Sequence, residues 1–327
     1  MEPILDIKNL DVKFALRTGT VTAIDNLSLS LAKGERLGIV GESGAGKSVM
    51  GFSIINLIRK PGYIANGSIY FRGEEISRYS EEEIRAIRGN RISTIFQDPM
   101  MALNPVLTIG TQMTEAILAH MDMTQEEAER IALEKLAKVH IPAPEKRLNQ
   151  YPHEFSGGMR QRIIIAISLL TDPDLIIADE PTTALDVTIQ AEIMDLLIEL
   201  CESEGMSLIL ITHDLGVVSE VTERIAVMYA GRVIETGPTE AIIKNPQHPY
   251  TQGLLKALPE SRTPGEPLYQ IPGMMPTLTD IPPGCAFNPR CPMRGEICIT
   301  KRPEAAFADE HTGHMAACHL VSGDLAS

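Results

Sequence analysis

Polar and apolar residues alternate along the first part of the chain, most clearly in Leu27-Ser28-Leu29-Ser30-Leu31 ahead of the Lys33-Gly34 turn. A period of two sends successive side chains to opposite faces of a strand, so residues 4–34 read as short β-strands. Leu37-Gly38-Ile39-Val40 is a continuous apolar run, and a helical pattern carrying Met50, Ile54, Ile55 and Leu57 follows it. Gly67–Phe71 and Ile92–Phe96 read as further strands. Residues 98–160 then become mainly helical. Thr124-Gln125-Glu126-Glu127 has the form of a capping box, opening a helix whose Ala128, Ile131, Leu136 and Val139 lie along one face. From 175 to 235 strands and helices alternate again: Leu175–Ala178, a helix after Val187, Leu208–Thr212, and Ile225–Met228. That order predicts an α/β fold with a parallel sheet, interrupted by a helical insertion. Beyond about residue 240, Pro and Gly become dense and the periodicity fades, so the expected division is 1–240 and 241–327.

Gly41-Glu42-Ser43-Gly44-Ala45-Gly46-Lys47-Ser48 sits between the apolar run and the first helical pattern and reads G-x-x-x-x-G-K-S. The glycines let successive backbone N–H groups turn around phosphate oxygens at the positive end of a helix. Lys47 would reach the β- and γ-phosphates, and the Ser48 hydroxyl would hold Mg²⁺. A glycine-rich turn with one lysine is the plain alternative, but the strand before and the helix after supply the context the motif requires. A nucleoside triphosphate is therefore the expected ligand.

Composition narrows the setting. A hydrophobic content of 44% in 327 residues provides for a substantial core, and no apolar run approaches the ~20 residues of a membrane span. Met1-Glu2-Pro3 carries no basic or apolar signal segment, so export is not expected. The net charge of −14 argues against a general nucleic-acid binder, which needs clustered Lys and Arg. Five cysteines without a secretion signal point to reduced thiols or a metal site.

Leu175-Ile176-Ile177-Ala178-Asp179-Glu180 is an apolar strand ending in two acids. Delivered beside the phosphate loop, Asp179 would complete the Mg²⁺ shell through water, and Glu180 would accept a proton from attacking water. Leu208–Asp214 is a second apolar strand with a polar end, where His213 gains weight from following the loop and the acidic pair in order. Ser156-Gly157-Gly158 opens the helical run Ile163–Leu170 and forms a second anion-binding helix start. Two such starts more than a hundred residues apart fit a nucleotide held between two copies of the domain.

In these motifs the chain resembles the ATP-binding subunits of ABC transporters, from residue 4 to about 260. The resemblance implies a P-loop NTPase core with an antiparallel β subdomain and a helical insertion subdomain. It assigns nucleotide contacts to Gly41, Ser43, Gly44, Ala45, Gly46, Lys47, Ser48 and Val49, and to the signature residues Ser156, Gly157, Gly158 and Gln161, with Phe155 in place of the usual leucine. Gln97 matches the Q-loop glutamine, a further Mg²⁺ ligand; Ala184-Leu185-Asp186 matches the D-loop; His213 matches the switch histidine. Phe14 is the candidate for stacking on adenine, although Ala15–Val21 is longer than typical. Two subunits would close head-to-tail around two ATP molecules, with Glu180, His213 and Gln97 at the reacting phosphate and the insertion moving membrane subunits. Soluble relatives that work on DNA or ribosomes often carry paired ATPase units, long coiled-coil insertions or basic arms, and none is evident in this sequence.

Cys285, Cys291, Cys298 and Cys318 follow C-x₅-C-x₆-C-x₁₉-C within a proline-rich stretch, while Cys201 lies in a helix. A short segment poor in apolar residues is a candidate for a metal staple. Four thiolates suit Zn²⁺ or an iron–sulfur cluster, and the absence of close C-x₂₋₄-C pairs favours the cluster. This tail, with Asn245–Thr251 before it, resembles the C-terminal extension of dipeptide and oligopeptide permease ATPases, where four cysteines go with a [4Fe-4S] cluster. His311, His314 and His319 are expected to take solvated or structural roles instead of ligating. The resemblance implies two transmembrane permease subunits, a second ATPase subunit (a paralogue or a second copy) and, indirectly, an extracytoplasmic solute-binding protein. It places the chain at the cytoplasmic face of the inner membrane, importing peptides, with nickel chelates or another small solute as the alternative cargo.

Overall fold

A computed structural model describes residues 2–97, 102–183, 185–258 and 269–324. The chain forms two compact units, one made of residues 1–78 and 210–327 and the other of residues 79–209.

In the first unit the alternating segment becomes two long strands, β1 (Leu5–Leu16) and β2 (Gly19–Leu31), paired antiparallel from Leu5↔Leu31 to Leu16↔Gly19. Leu27, Leu29 and Leu31 turn inward while Ser28 and Ser30 stay exposed, as a period of two requires. β3 (Arg36–Val40) is the apolar run; β4 (Gly62–Phe71) and β5 (Glu74–Glu75) continue the antiparallel sheet in the order β2-β1-β4-β5.

The second unit holds β6 (Ile92–Ile95) and β7 (Leu175–Asp179), which pair in parallel with Ile92 opposite Leu175. Between them lie helices at Ile109–Leu118, Gln125–Lys138, Pro144–Arg147 and Gly157–Ser168. The capping box at Thr124 forms as expected: its hydroxyl accepts from the Glu127 N–H, and the Glu127 carboxylate accepts from the Thr124 N–H. The expected start of the insertion, residues 98–101, lies outside the described residues.

β8 (Ser207–Thr212) carries the chain back to the first unit. There β9 (Arg224–Tyr229) pairs in parallel with β3 and antiparallel with β10 (Arg232–Pro238). The proline-rich tail contributes two short strands, β11 (Ala306–Asp309) and β12 (His314–Ala316), and β12 adds to the free edge of β10. Segments of three or four residues are too short to show a period, which is why the sequence pattern fades there although strands form.

One buried carboxylate fastens this edge. Glu235 of β10 is fully buried and accepts from the Gln247 N–H at 2.6 Å and the His248 N–H at 3.0 Å. His314 Nε2 of β12 lies 2.8 Å from the same side chain. Breaking a buried pair from one side strands its partner. Glu235→Ala is expected to cost about 3–5 kcal/mol, and a urea unfolding midpoint like that of the wild type would show that the pair does not hold β12.

Candidate functional site

The phosphate loop belongs to the first unit. It leaves β3 at Gly41 and enters the helix Lys47–Ile54 through Gly46, which sits at φ 102°. Gly44 is also left-handed, at φ 85°, a conformation glycine adopts without strain. Gly41 is required for another reason: a Cβ there would stand 2.3 Å from the Met228 carbonyl oxygen. Ser43 and Gly44 are exposed, Ser48 and Val49 half-buried, and Ala45 and Lys47 buried. Lys47 Nζ donates to the carbonyls of Gly41 at 2.8 Å and Glu42 at 3.2 Å, so the ammonium group is folded into the loop. His213 is exposed at the end of β8, ahead of a helix capped by Asp214. Phe14 lies near the end of β1 with its ring against Gly62, where a Cβ would come within 2.7 Å of the ring.

The second unit brings together two of the residues singled out by sequence. Gln97 Nε2 donates to Glu180 Oε2 at 3.1 Å, and the Thr183 hydroxyl donates to the same oxygen at 3.0 Å. Glu180 adopts φ 47°, a left-handed conformation that costs a non-glycine residue about 1–2 kcal/mol. Strain of this kind is kept where neighbours over-determine a side chain's direction. Asp179, the last residue of β7, is buried.

The helix Gly157–Ser168 opens at Ser156, whose hydroxyl accepts from the Met159 N–H at 3.4 Å, and Ser156 and Gly157 are exposed. Gly158 is set by packing, since a Cβ there would lie 2.8 Å from Ile189 Cγ2. Phe155 is buried with the Arg147 guanidinium over its ring, so it fills the apolar place expected of it. Asp186 caps the helix Val187–Glu204 by accepting from the Ile189 N–H at 3.0 Å, while Ala184 lies outside the described residues. Gln161 is fully buried, and its carboxamide has no hydrogen-bond partner among the described residues.

In the tail, Cys285, Cys291, Cys298 and Cys318 are all free thiols and line one small cavity. Burial pushes Cys285 up to about 11, with the neighbouring thiols adding to the effect. Among the described residues no group of three or more His, Cys, Asp or Glu is placed to hold a metal ion. His314 engages Glu235; the two ring nitrogens of His319 engage Asp324 and the Lys301 carbonyl; His311 is exposed.

Residues 24–183 match the family described as ABC transporter, and residues 234–298 match the one described as Oligopeptide/dipeptide transporter, C-terminal region. The dipeptide transport ATP-binding protein DppD of Bacillus subtilis strain 168 is 50% identical over 316 residues, covering 95% of this chain and 94% of that one. DppD of Escherichia coli K12 is 46% identical over 321 residues, covering 98% of each. The chain belongs to the ABC transporter ATP-binding subunits. Among solved structures, the ATP-binding cassette MJ0796, in a dimeric post-hydrolysis state bound to ADP and Pi, matches with a TM-score of 0.64 and 30% identity. That match covers 72% of this chain and 98% of the cassette. The ABC fold agrees with the α/β order read from the sequence, and ATP is the family's substrate.

Several residues around the ABC phosphate loop were not legible in the motifs. Glu42 accepts two hydrogen bonds from Arg290, at 2.6 Å and 2.9 Å, and its backbone N–H donates to the Tyr250 hydroxyl at 2.8 Å. Tyr250, Tyr229 and Phe287 pack edge-on with ring centroids 4.7–5.4 Å apart. His248 lies beside them; burial pulls it down to about 3, leaving a neutral ring whose Nδ1 accepts from the Tyr250 N–H. The run Asn245–Thr251 carried a resemblance, but nothing in it announced this aromatic core.

Proposed function

We propose that this chain is the ATP-hydrolysing subunit of an importer of dipeptides or oligopeptides. The observation that carries this reading is the identity of 46–50% along nearly the whole chain to dipeptide transport ATP-binding proteins. Among the described residues no helix is long and apolar enough to cross a membrane, so the membrane path must come from partner subunits. Two permease subunits and a second ATPase subunit, at the cytoplasmic face of the inner membrane, complete the reading, with a solute-binding protein delivering the peptide.

The backbone N–H groups from Gly44 to Val49 cradle the phosphates, and Lys47 neutralises charge at the β- and γ-positions. Ser48, Asp179 and Gln97 would hold Mg²⁺, which supplies further charge neutralisation when bound. Glu180, aimed by Gln97 and Thr183, takes the proton of the attacking water, and His213 stabilises the reacting phosphate from the end of β8. The exposed helix start at Ser156 and Gly157 is an anion site suited to the γ-phosphate held by a second subunit, with Asp186 beside that contact. Phe14 stacks on the adenine.

Four free thiols lining one cavity, two of them buried and two half-buried, support the reading that the tail holds a [4Fe-4S] cluster, with Zn²⁺ as the alternative. Burial raises the pKa of Cys285, Cys291 and Cys318, and ligation would offset that cost. Purification from native membranes in mild detergent is expected to bring down two polytopic subunits, together with iron and acid-labile sulfide. Recovery with ribosomal or DNA-bound partners alone would overturn the importer reading, and stoichiometric zinc would overturn the cluster.

A further inference from the structure

The cysteine loop of the tail reaches the phosphate loop through one side chain. Arg290 occupies a single helical turn, Asn288–Arg290, between Cys285 and Cys291. Asn288 fixes that turn by donating both its backbone N–H, at 2.9 Å, and its side-chain Nδ2, at 2.8 Å, to the Cys285 carbonyl. The Arg290 side chain is only 4% exposed, and its guanidinium donors are well satisfied. Nε donates to the Pro272 carbonyl at 2.9 Å; Nη1 donates to Glu42 and to the Tyr229 hydroxyl; Nη2 donates to Glu42 and to the Ile271 carbonyl. A planar fork held on so many sides presents a rigid bidentate face to its carboxylate.

That carboxylate is Glu42, the second residue of the phosphate loop. Its backbone N–H is also taken, by the Tyr250 hydroxyl, so Glu42 is gripped at main chain and side chain together. The Glu42 carbonyl in turn accepts from Lys47 Nζ. The grip thus reaches the lysine that faces the phosphates, across 248 residues of sequence. Glycine-rich loops are permissive, and Ser43 and Gly44 are exposed with no regular structure to hold them. Closing such a loop on a ligand costs conformational entropy unless it is already ordered.

We propose that Arg290 is a positioning residue for ATP: through the bidentate bond to Glu42, with Tyr250 as its second anchor, it pre-orders the first half of the phosphate loop. The inference rests on the ATPase reading above. It makes the tail a working part of the nucleotide site, because any change that reshapes the loop between Cys285 and Cys291 moves Arg290 and is felt at Lys47.

The test uses the purified full-length chain with a fluorescent ATP analogue and steady-state ATPase assays. Arg290→Ala is expected to raise the Kd and KM for ATP about tenfold, equal to about 1.4 kcal/mol, while kcat falls much less. Arg290→Lys, which keeps the charge but loses the fork, should recover only part of this. Tyr250→Phe removes only the hydroxyl anchor, so it keeps the proposal testable if Arg290→Ala misfolds; it should raise Kd in the same direction. In a double-mutant cycle, Glu42→Gln and Arg290→Ala should not add. Unchanged Kd in folded Arg290→Ala or in Tyr250→Phe, or full additivity in the cycle, would overturn the proposal. A wild-type chain that fails to bind the analogue would instead overturn the ATPase reading itself.

Discussion

Glu180→Gln is expected to bind Mg-ATP as the wild type does and to lose nearly all turnover, a fall of about 10²–10⁴ in kcat. The substitution keeps the size of the side chain and its place at the end of β7. A glutamine oxygen still accepts from Gln97 and Thr183, which donate to Oε2 at 3.1 Å and 3.0 Å. The backbone strain at φ 47° is the same for both residues. Only the capacity to take a proton from water is lost, because an amide oxygen is a far weaker base than a carboxylate. Single-turnover phosphate release, compared with equilibrium binding of a fluorescent ATP analogue, separates chemistry from affinity. Near-normal turnover in this variant would remove Glu180 from the role of base and leave Gln97 and Thr183 as holders of a purely structural acid.

Lys47→Ala is expected to act on affinity instead. Lys47 is 5% exposed, and its ammonium group bridges the Gly41 and Glu42 carbonyls at the mouth of the loop. Its loss removes hydrogen bonds to a charged phosphate worth about 1.5–3 kcal/mol each. It also leaves those two carbonyls without their ammonium donor. The Kd for ATP should rise at least tenfold to hundredfold, at about 1.4 kcal/mol per factor of ten. A thermal melt gives an independent readout. ATP should raise the Tm of the wild type, as any ligand of the folded state does, and at the same ATP concentration should raise that of Lys47→Ala distinctly less. An equal ATP-induced shift in both proteins would mean that the loop holds phosphate by its backbone alone.

These two variants divide the site along the line where sequence was informative. The phosphate loop and the acidic end of β7 were legible because their geometry is local. A glycine at φ 102° before a helix, or an apolar strand ending in two acids, is written in consecutive residues. The contact between Gln97 and Glu180 was foreseeable only as two motifs in order, since the backbone conformation that aims Glu180 leaves no mark in composition. Gln161 was legible as a signature residue, but its burial without a hydrogen-bond partner among the described residues was not. The tail was harder still. Its prolines and glycines hide two short strands, and its apolar content looked too small for a core because Phe287 completes one with Tyr229 and Tyr250, which belong to earlier segments.

The sequence by itself determined that this protein binds nucleotide, that its fold alternates strand and helix, and that four thiols gather in its last segment. The first two follow from residues adjacent along the chain, where backbone geometry limits the choices, and the third is the cysteine spacing itself. Only the tertiary structure decided that Arg290, from among those thiols, closes on Glu42, and that Glu235 is buried against His314 of the last strand. Pairings of that kind depend on which distant segments share a low-dielectric interior. Burial makes an unpartnered charge expensive, so the fold selects partners that no local pattern could name.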